Sequence, residues 1–278
     1  MPLELTGAPA LRAGARLRPA RLYLGRQAIE WRPGGPAGAP VQLALPEGGA
    51  LPAAQALRDL LAAHPGRTFE LRLSHACCRL LLLPWLEQLS GPERWRNYAR
   101  ARFEERYGED AGRWDLQLGL DLPGCERIAV AWPRALREAL SPLAALRSVR
   151  ADLPERLGGL LRSHPRFTGA LLEIEADGAG MLLLSRGQVR RVRSCRFEDA
   201  DGLASALRAE WAALCAQDGQ LGAAARTLAL ATPFGRRDAA RAQAIARLAP
   251  ELGFGRSVHV EEDGRVSELR TSDFPRIA

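Results

Sequence analysis

The chain has 278 residues, 47% of them hydrophobic, so it is long enough to bury a substantial core and is not a disordered protein. Its net charge of +7 comes from 39 basic and 32 acidic residues, and every basic residue is an arginine. The lack of lysine excludes a Schiff-base enzyme, a P-loop with its Gly-Lys-Ser/Thr motif, and a lysine general base.

The apolar runs of the sequence bear on its location. No run approaches the length of a membrane span, and the first twenty residues lack the apolar segment of a secretory signal. We therefore expect a cytoplasmic protein without direct membrane insertion, in which residues 1–19 form a flexible N-terminal arm.

The first half of the chain predicts short strands and helices in alternation. Turn signals and apolar runs predict a strand, turn and strand over 21–31, a strand at 41–45, a helix over 52–64, and strands at 69–73 and 79–83. Gly25-Arg26-Gln27 forms the first turn, and Pro84 ends the last of these strands.

A helix is predicted next, because Ser90 and Glu93 form a capping box and Gly108 is a typical helix end. Apolar side chains recur along it at every fourth residue, which predicts a face buried against a sheet. This stripe consists of Trp95, Ala99, Phe103 and Tyr107. The elements that follow are strands at 114–120 and 128–132, a helix over 133–143, a short strand near Val149 and a helix over 153–164.

The second half opens with three short strands over 167–196, folded on the turns Asp177-Gly178 and Arg186-Gly187. The first of these strands alternates, so Glu173 and Glu175 share one face of it. We expect both glutamates to face solvent or an arginine neighbour, and Asp177 to be a turn residue.

The order of elements repeats between the halves. A helix over 200–217, a strand at 227–231, a helix over 237–248 and a hairpin turned at Asp263-Gly264 complete the second half. The first half has the same order with an insertion at about 74–120. Two similar halves predict a duplicated α/β architecture with mixed sheets.

Five cysteines at irregular spacing predict reduced, mostly buried thiols. His75, Cys77 and Cys78 suggest a metal site, but a strand would place His75 and Cys77 on one face and Cys78 on the other. Because the sequence offers no second ligand pair, we expect no metal there.

The layout resembles the PilM and GspL family, the actin-like proteins of bacterial type IV pilus and type II secretion machines. The resemblance rests on the patterns of residues 21–31, 80–107, 167–196 and 228–253. It implies an α/β fold of two actin-like (ribonuclease H-like) lobes with mixed sheets. The first lobe would cover 20–152 and the second 153–278.

The phosphate-binding turns of the ATP-binding relatives are degenerate here. The acid before the first turn is replaced by Tyr23, and Gly25 and Arg26 follow it without a lysine. The second turn has Glu173 and Glu175 in place of Asp-x-Gly. The remaining positions implied for the cofactor cleft are Asp177 and Gly178, and Gly235 in the third turn. Since phosphates need close backbone amides and a counter-charge, we expect neither an ATPase nor a bound cofactor.

The resemblance thus favours a non-catalytic scaffold at the cytoplasmic face of the inner membrane. Its expected partners are the PilN-like cytoplasmic tail of an inner-membrane assembly protein and a secretion ATPase. The tail is expected to add to a strand edge or groove formed by Arg79, Leu82, Pro84 and Trp85.

Two other functions stay open. One is an actin-like ATP-binding protein or ATPase with substituted phosphate contacts, for which ATP and Mg²⁺ would be the cofactors. The other is nucleic-acid binding through the arginines, but acidic residues are mixed among them and no aromatic side chains are interleaved. We therefore expect no nucleic-acid partner.

Overall fold

The computed structural model describes residues 19–31, 41–45, 50–119, 124–140, 143–175, 178–197, 199–217, 226–231, 243–261 and 265–268. Its strands, numbered along the chain, are β1 (Ala20–Leu24), β2 (Ala28–Trp31), β3 (Val41–Ala44), β4 (Phe69–Leu73), β5 (Arg79–Leu83), β6 (Trp114–Leu118), β7 (Arg127–Pro133), β8 (Leu146–Ala151), β9 (Gly169–Ile174), β10 (Gly178–Ser185), β11 (Gln188–Arg196), β12 (Thr227–Ala231), β13 (Arg256–Val260) and β14 (Val266–Glu268). Its helices are α1 (Ala50–Ala62), α2 (Pro92–Tyr107), α3 (Arg134–Leu140), α4 (Asp152–Ser163) and α5 (Ala200–Gln217), and residues 243–248 are also helical.

Two sheets share one plan. The first has the order β3-β2-β1-β4-β8, and the second has the order β11-β10-β9-β12-β13 with β14 added at its edge. In each, an antiparallel meander of three strands is followed by two strands that pair in parallel. In each, a helix connects the third strand to the fourth, α1 in the first half and α5 in the second. The duplicated α/β architecture with mixed sheets is confirmed.

A third, antiparallel sheet has the order β5-β7-β6 and packs against α2. Trp95, Ala99 and Phe103 are at most 2% exposed, so the predicted apolar stripe of α2 is confirmed as a buried face. The predicted capping box at Ser90 is wrong. Gly91 is the residue before the helix, and because glycine has no side chain it makes no capping hydrogen bond.

The two main sheets share one hydrophobic core. Leu71 of β4 and Leu171 of β9 belong to the same cluster, which α1 and α4 also line. The other face of the second sheet forms a separate core with α5, centred on residues such as Leu172 and Leu207. Each face of β9 is therefore covered, and no position on that strand faces solvent.

Several element boundaries were predicted to the residue and others were not. Helix α5 and strand β12 have their predicted bounds. The turn at Arg186-Gly187 is confirmed, since both residues have positive φ (51° and 81°), as a tight hairpin requires. The predicted turn residues Asp177 and Asp263, and the start of the helix predicted at 237–248, lie outside the described residues. None of the described helices is long and apolar enough to span a membrane.

Candidate functional site

The turns that open the two halves are built alike. The loop between β1 and β2 has the same length as the loop between β9 and β10. In the first, the amide of Gly25 donates to the carbonyl of Ala28 at 2.9 Å, and in the second the amide of Glu175 donates to the carbonyl of Gly178 at 2.9 Å. The duplication thus makes Gly25 and Glu175 equivalent positions, and both amides are satisfied within their own turns.

The same equivalence places Tyr23 on β1 opposite Glu173 on β9, and the two side chains meet. The Tyr23 hydroxyl lies 2.7 Å from Oε1 of Glu173 and 2.9 Å from Oε1 of Glu175. All three residues are at most 5% exposed. A buried phenol and two carboxyl groups therefore connect the first sheet to the second at the position where the two opening turns meet.

Proton positions in this group follow from its burial. Burial, with the charges of Glu173 and Glu175, raises the pKa of the Tyr23 phenol well above its usual value. Burial, with the charges of Asp152 and Glu175, likewise raises the pKa of Glu173. The phenol keeps its proton and can donate it to one carboxyl oxygen. The second contact requires a proton on a glutamate, because a hydroxyl carries one hydrogen.

A buried ion pair supports the group from α4. Asp152, the first residue of α4, accepts a hydrogen bond from Nε of Arg156, and both are at most 4% exposed. Nη1 of Arg156 also donates to the carbonyl of Val260, the last residue of β13, at 2.8 Å. The pair therefore ties the helix between the halves to the second sheet, and it surrounds Glu173 with fixed charges.

His75 completes the cluster from the loop after β4. Its Nδ1 lies 3.4 Å from Oε1 of Glu175 and 3.9 Å from Oε2 of Glu173. His75, Cys77 and Cys78 lie in the turn between β4 and β5, so the strand geometry used against a metal site does not apply to them. Glu173 and Glu175 of the second half place two possible ligand oxygens near the imidazole.

The cysteines beside His75 are poor nucleophiles. Burial, together with the charge of Glu175, raises the pKa of Cys77 to about 12. Cys78 is 1% exposed, and its Sγ lies 3.2 Å from the carbonyl of Ser74. Burial, with the charge of Glu173, raises its pKa well above the usual value. Both thiols stay protonated at neutral pH, so neither has the thiolate character of a reactive cysteine.

The glutamates do not face solvent, which was one of the two environments expected for them. Glu173 is completely buried and Glu175 is 5% exposed. The physical reason is that the face of β9 that carries Glu173 packs against β1 of the first half and against α4. The other expected environment, an arginine neighbour, fits Glu173, on which the charge of Arg156 acts. Sequence alternation identified the shared face, but the polar partner Tyr23 lies 150 positions away along the chain.

The other predicted cleft residues are only partly brought together. A Cβ built on Gly25 would lie 3.7 Å from Oε2 of Glu175, so the first two turns do face each other. Arg26 is exposed at the rim, and Gly178 begins β10. Asp177 and Gly235 lie outside the described residues. Asp152 and Arg156 were not predicted from the sequence, although their spacing of four residues on a helix was a signal for an ion pair.

The described cleft residues do not fit a magnesium-bound triphosphate. Such a site needs a carboxylate free to hold the hydrated metal and backbone amides open toward the phosphates. Here the acid position is Tyr23, and its hydroxyl contacts the carboxyl groups of Glu173 and Glu175. The amide of Gly25 is bonded inside its own turn.

The predicted partner-binding residues lie along β5 and just beyond its end, and β5 is an edge strand of the third sheet that runs beside β11. Leu82 is half-buried and Pro84 is exposed. Arg79 is half-buried and stacks over the Trp114 ring at 5.4 Å. The Trp85 ring is 5.6 Å from that of Trp95. Arg79 and Trp85 are at opposite ends of the strand, and the binding role of the four residues stays a prediction.

Comparisons with known proteins identify the fold. No family model and no curated protein sequence matches the chain. Among solved structures, the PilM-PilN type IV pilus biogenesis complex matches with a TM-score of 0.60 at 16% identity, over 94% of this chain and 93% of that one. A Bacteroides thetaiotaomicron protein with an actin-like ATPase fold and unknown function matches with a TM-score of 0.53 at 11% identity, over 84% and 88%. The cytoplasmic domain of EpsL, from the type II secretion system of Vibrio cholerae, gives 0.48 at 15% identity, over 78% and 83%.

The chain therefore has the actin-like fold, with a mixed α/β architecture. This confirms the predicted fold class and the predicted resemblance to PilM-like proteins at the level of fold. At sequence identities of 11% and 16%, these structural similarities establish the fold of the chain alone.

Proposed function

We propose that this chain is a non-catalytic cytoplasmic scaffold of a bacterial pilus or type II secretion-like assembly, located at the inner membrane. One observation carries the proposal: Tyr23 contacts both Glu173 and Glu175 where an actin-like ATPase needs a free carboxylate. ATP hydrolysis requires a carboxylate-held metal and a positioned water. With the acidic side chains bonded to a phenol, the fold serves as a rigid surface for partners.

The proposed partner is the cytoplasmic segment of an inner-membrane assembly protein. This proposal is supported by the PilM-PilN complex, in which a protein of the same fold is bound to PilN. The net charge of +7, carried by arginines, suits an acidic tail, because a guanidinium binds a carboxylate through two hydrogen bonds. A secretion ATPase is the second proposed partner of the same scaffold.

The proposed docking place is the end of β5, next to Pro84 and Trp85. Pro84 is exposed and ends the strand, so the chain leaves the sheet there. The half-buried Trp85 ring presents an aromatic surface, and aromatic and arginine side chains are typical anchors of interfaces. Arg79 and Leu82 lie on the same strand and would contact an extended segment laid beside it.

The experiment measures binding of the full chain to cytoplasmic segments of membrane proteins encoded near it, made as labelled peptides. We expect one segment to bind, and the Trp85→Ala variant to bind it at least about tenfold more weakly. A matched control is Leu43→Ala, since Leu43 is an exposed apolar residue on another edge strand (40% exposed). No binding by any segment, or equal losses in the two variants, would contradict the proposed docking place.

A second candidate function is ATP binding, and one observation favours it. The two opening turns still face each other, with the Cβ position of Gly25 only 3.7 Å from Oε2 of Glu175. A nucleotide that displaced the Tyr23 hydroxyl would find both turns in place. Titration with Mg-ATP decides between the two candidates.

A further inference from the structure

We propose that His75, Glu173 and Glu175 bind a divalent transition-metal ion that joins the two halves of the fold. The site does not depend on the proposed scaffold function. Its ligands come from the loop after β4 in the first half and from the end of β9 in the second. An ion bound there would hold the halves together at the position where actin-like ATPases hold a nucleotide.

The distances between ligand atoms fit one ion. Nδ1 of His75 is 3.4 Å from Oε1 of Glu175 and 3.9 Å from Oε2 of Glu173, and the three ligand atoms lie within 4.8 Å of one another. Ligands at about 2.1 Å from a tetrahedral zinc ion are about 3.4 Å apart. Small side-chain movements therefore bring all three atoms into coordination.

Glu173 gives a second reason to place a ligand here. It is completely buried, and its Oε2 atom, which points toward His75, has no hydrogen-bond donor among the residues that the structure describes. A buried carboxylate oxygen without a donor is costly. A cation between Glu173 and Glu175 would supply the missing partner and offset the charge of both groups.

Two glycines of β10 provide space for the imidazole ring. A Cβ on Gly180 would lie 2.7 Å from Cβ of His75, and a Cβ on Gly178 would lie 3.3 Å from its Nε2. Any larger residue at either position would push the ring away from the glutamates. The imidazole ring therefore packs against β10 at a place where two glycines leave room for it.

The ligand set selects the class of metal. One imidazole nitrogen with two carboxylate oxygens suits Zn²⁺ and its first-row neighbours, whereas Mg²⁺ and Ca²⁺ prefer oxygen ligands alone. The position is closed to solvent, because His75 is 4% exposed and both glutamates are at most 5% exposed. Three protein ligands leave the fourth position of a tetrahedral ion to a water molecule.

The test uses the full chain after removal of metals with a chelator. Calorimetry should show one equivalent of Zn²⁺ bound, with a rise in melting temperature that Mg²⁺ does not reproduce. Co²⁺ should give the visible bands of a tetrahedral nitrogen and oxygen site without a thiolate charge-transfer band. Glu173→Gln and His75→Gln should each weaken Zn²⁺ binding at least about 100-fold, whereas Cys77→Ser should leave it unchanged.

Three outcomes would overturn the proposal. They are no stoichiometric binding of Zn²⁺ or Co²⁺ to the unmodified chain, a Co²⁺ spectrum dominated by thiolate, and equal Zn²⁺ affinity in the unmodified chain and Glu173→Gln. The first two outcomes are measured on the unmodified chain. They therefore test the metal site even if a variant fails to fold. Circular dichroism of each metal-free variant establishes that a lost affinity reflects a lost ligand.

Discussion

The hydroxyl of Tyr23 lies 2.7 Å from Oε1 of Glu173, and the two residues hold equivalent positions in the duplicated halves. Each lies on the first strand of its sheet, two positions before the residue that opens the turn. Because β1 carries a phenol at this position and β9 carries a carboxyl group, a hydrogen bond joins the two halves directly. The Tyr23 hydroxyl thereby closes the cleft between the two opening turns at this position.

Tyr23→Phe should destabilise the chain by about 1–3 kcal/mol, because the buried carboxyl groups of Glu173 and Glu175 lose the hydroxyl as their hydrogen-bond partner. Tyr98→Phe is the matched control, since Tyr98 is half-buried and its hydroxyl makes no side-chain hydrogen bond within the described residues. Its effect should stay within about 0.5 kcal/mol. Denaturant unfolding of the metal-free proteins measures both, and equal effects would contradict a role for the Tyr23 hydroxyl.

Gly180→Ala should destabilise the chain by about 1–3 kcal/mol, because its Cβ would lie 2.7 Å from Cβ of His75 and 3.0 Å from Leu153. Gly158→Ala is the control. Gly158 lies inside α4, where a Cβ meets only the Arg162 side chain at 3.7 Å, so alanine should stabilise the helix by up to about 1 kcal/mol. Thermal unfolding should therefore shift in opposite directions for the two variants, and two shifts of the same sign would refute this packing.

Arg156→Met should cost about 3–5 kcal/mol, because it leaves the carboxyl group of Asp152 buried without its partner. Adding Asp152→Asn should recover part of that loss, which a double-mutant cycle measures. The exposed pair of Arg102 and Glu105 is the control, with side chains 44% and 63% exposed, and Glu105→Gln should change stability by less than about 1 kcal/mol. Similar costs for Arg156→Met and Glu105→Gln would mean that burial does not set the strength of this pair.

The sequence was sufficient for the parts of the fold that depend on local patterns. The alternation of β9, the turn at Arg186-Gly187 and the bounds of α5 follow from residues near one another in the chain. The repeat of element order was enough to predict a duplicated architecture, because each strand–turn–strand unit carries its own turn signal. The local structure of these segments is determined by hydrophobic periodicity and by turn residues, both of which can be recognised in the sequence.

The candidate site could not be predicted, because its partners meet only through tertiary packing. Nothing local to Glu173 indicates that Tyr23 will cover it from 150 positions away. The loop that carries His75 lies between the strands predicted at 69–73 and 79–83, but nothing in it indicates that two glutamates approach from the second half. Ser90 is displaced from the capping position by Gly91, whose φ of 81° a residue with a side chain adopts at a cost.

The contribution of His259 to stability should fall as the pH falls below about 7, whereas Glu173, whose pKa is raised by burial, contributes in the opposite direction. Burial, with the charge of Arg156, lowers the pKa of His259 below its ordinary value of 6.5. Between the lowered pKa and 6.5 the unfolded chain binds more protons than the folded one, so stability rises with pH there. One proton limits the slope to about 1.4 kcal/mol per pH unit.

The check is denaturant unfolding of the unmodified chain and of His259→Gln between about pH 5 and pH 8, the range that brackets the ordinary histidine pKa. The variant should show a smaller slope in this range, because glutamine does not titrate. Identical slopes would show that His259 binds protons equally well in the folded and unfolded chains.

Calorimetric titration of the folded, metal-free chain with Mg-ATP tests the central claim most directly, because a closed cleft and a working one differ in nucleotide affinity. A functional actin-like cleft should bind with a Kd in the micromolar range, or about −8 kcal/mol. The contact of Tyr23 with Glu173 and Glu175 predicts no saturable heat up to millimolar Mg-ATP. Saturable, stoichiometric binding at micromolar concentrations, lost on substitution at Gly25, would contradict it.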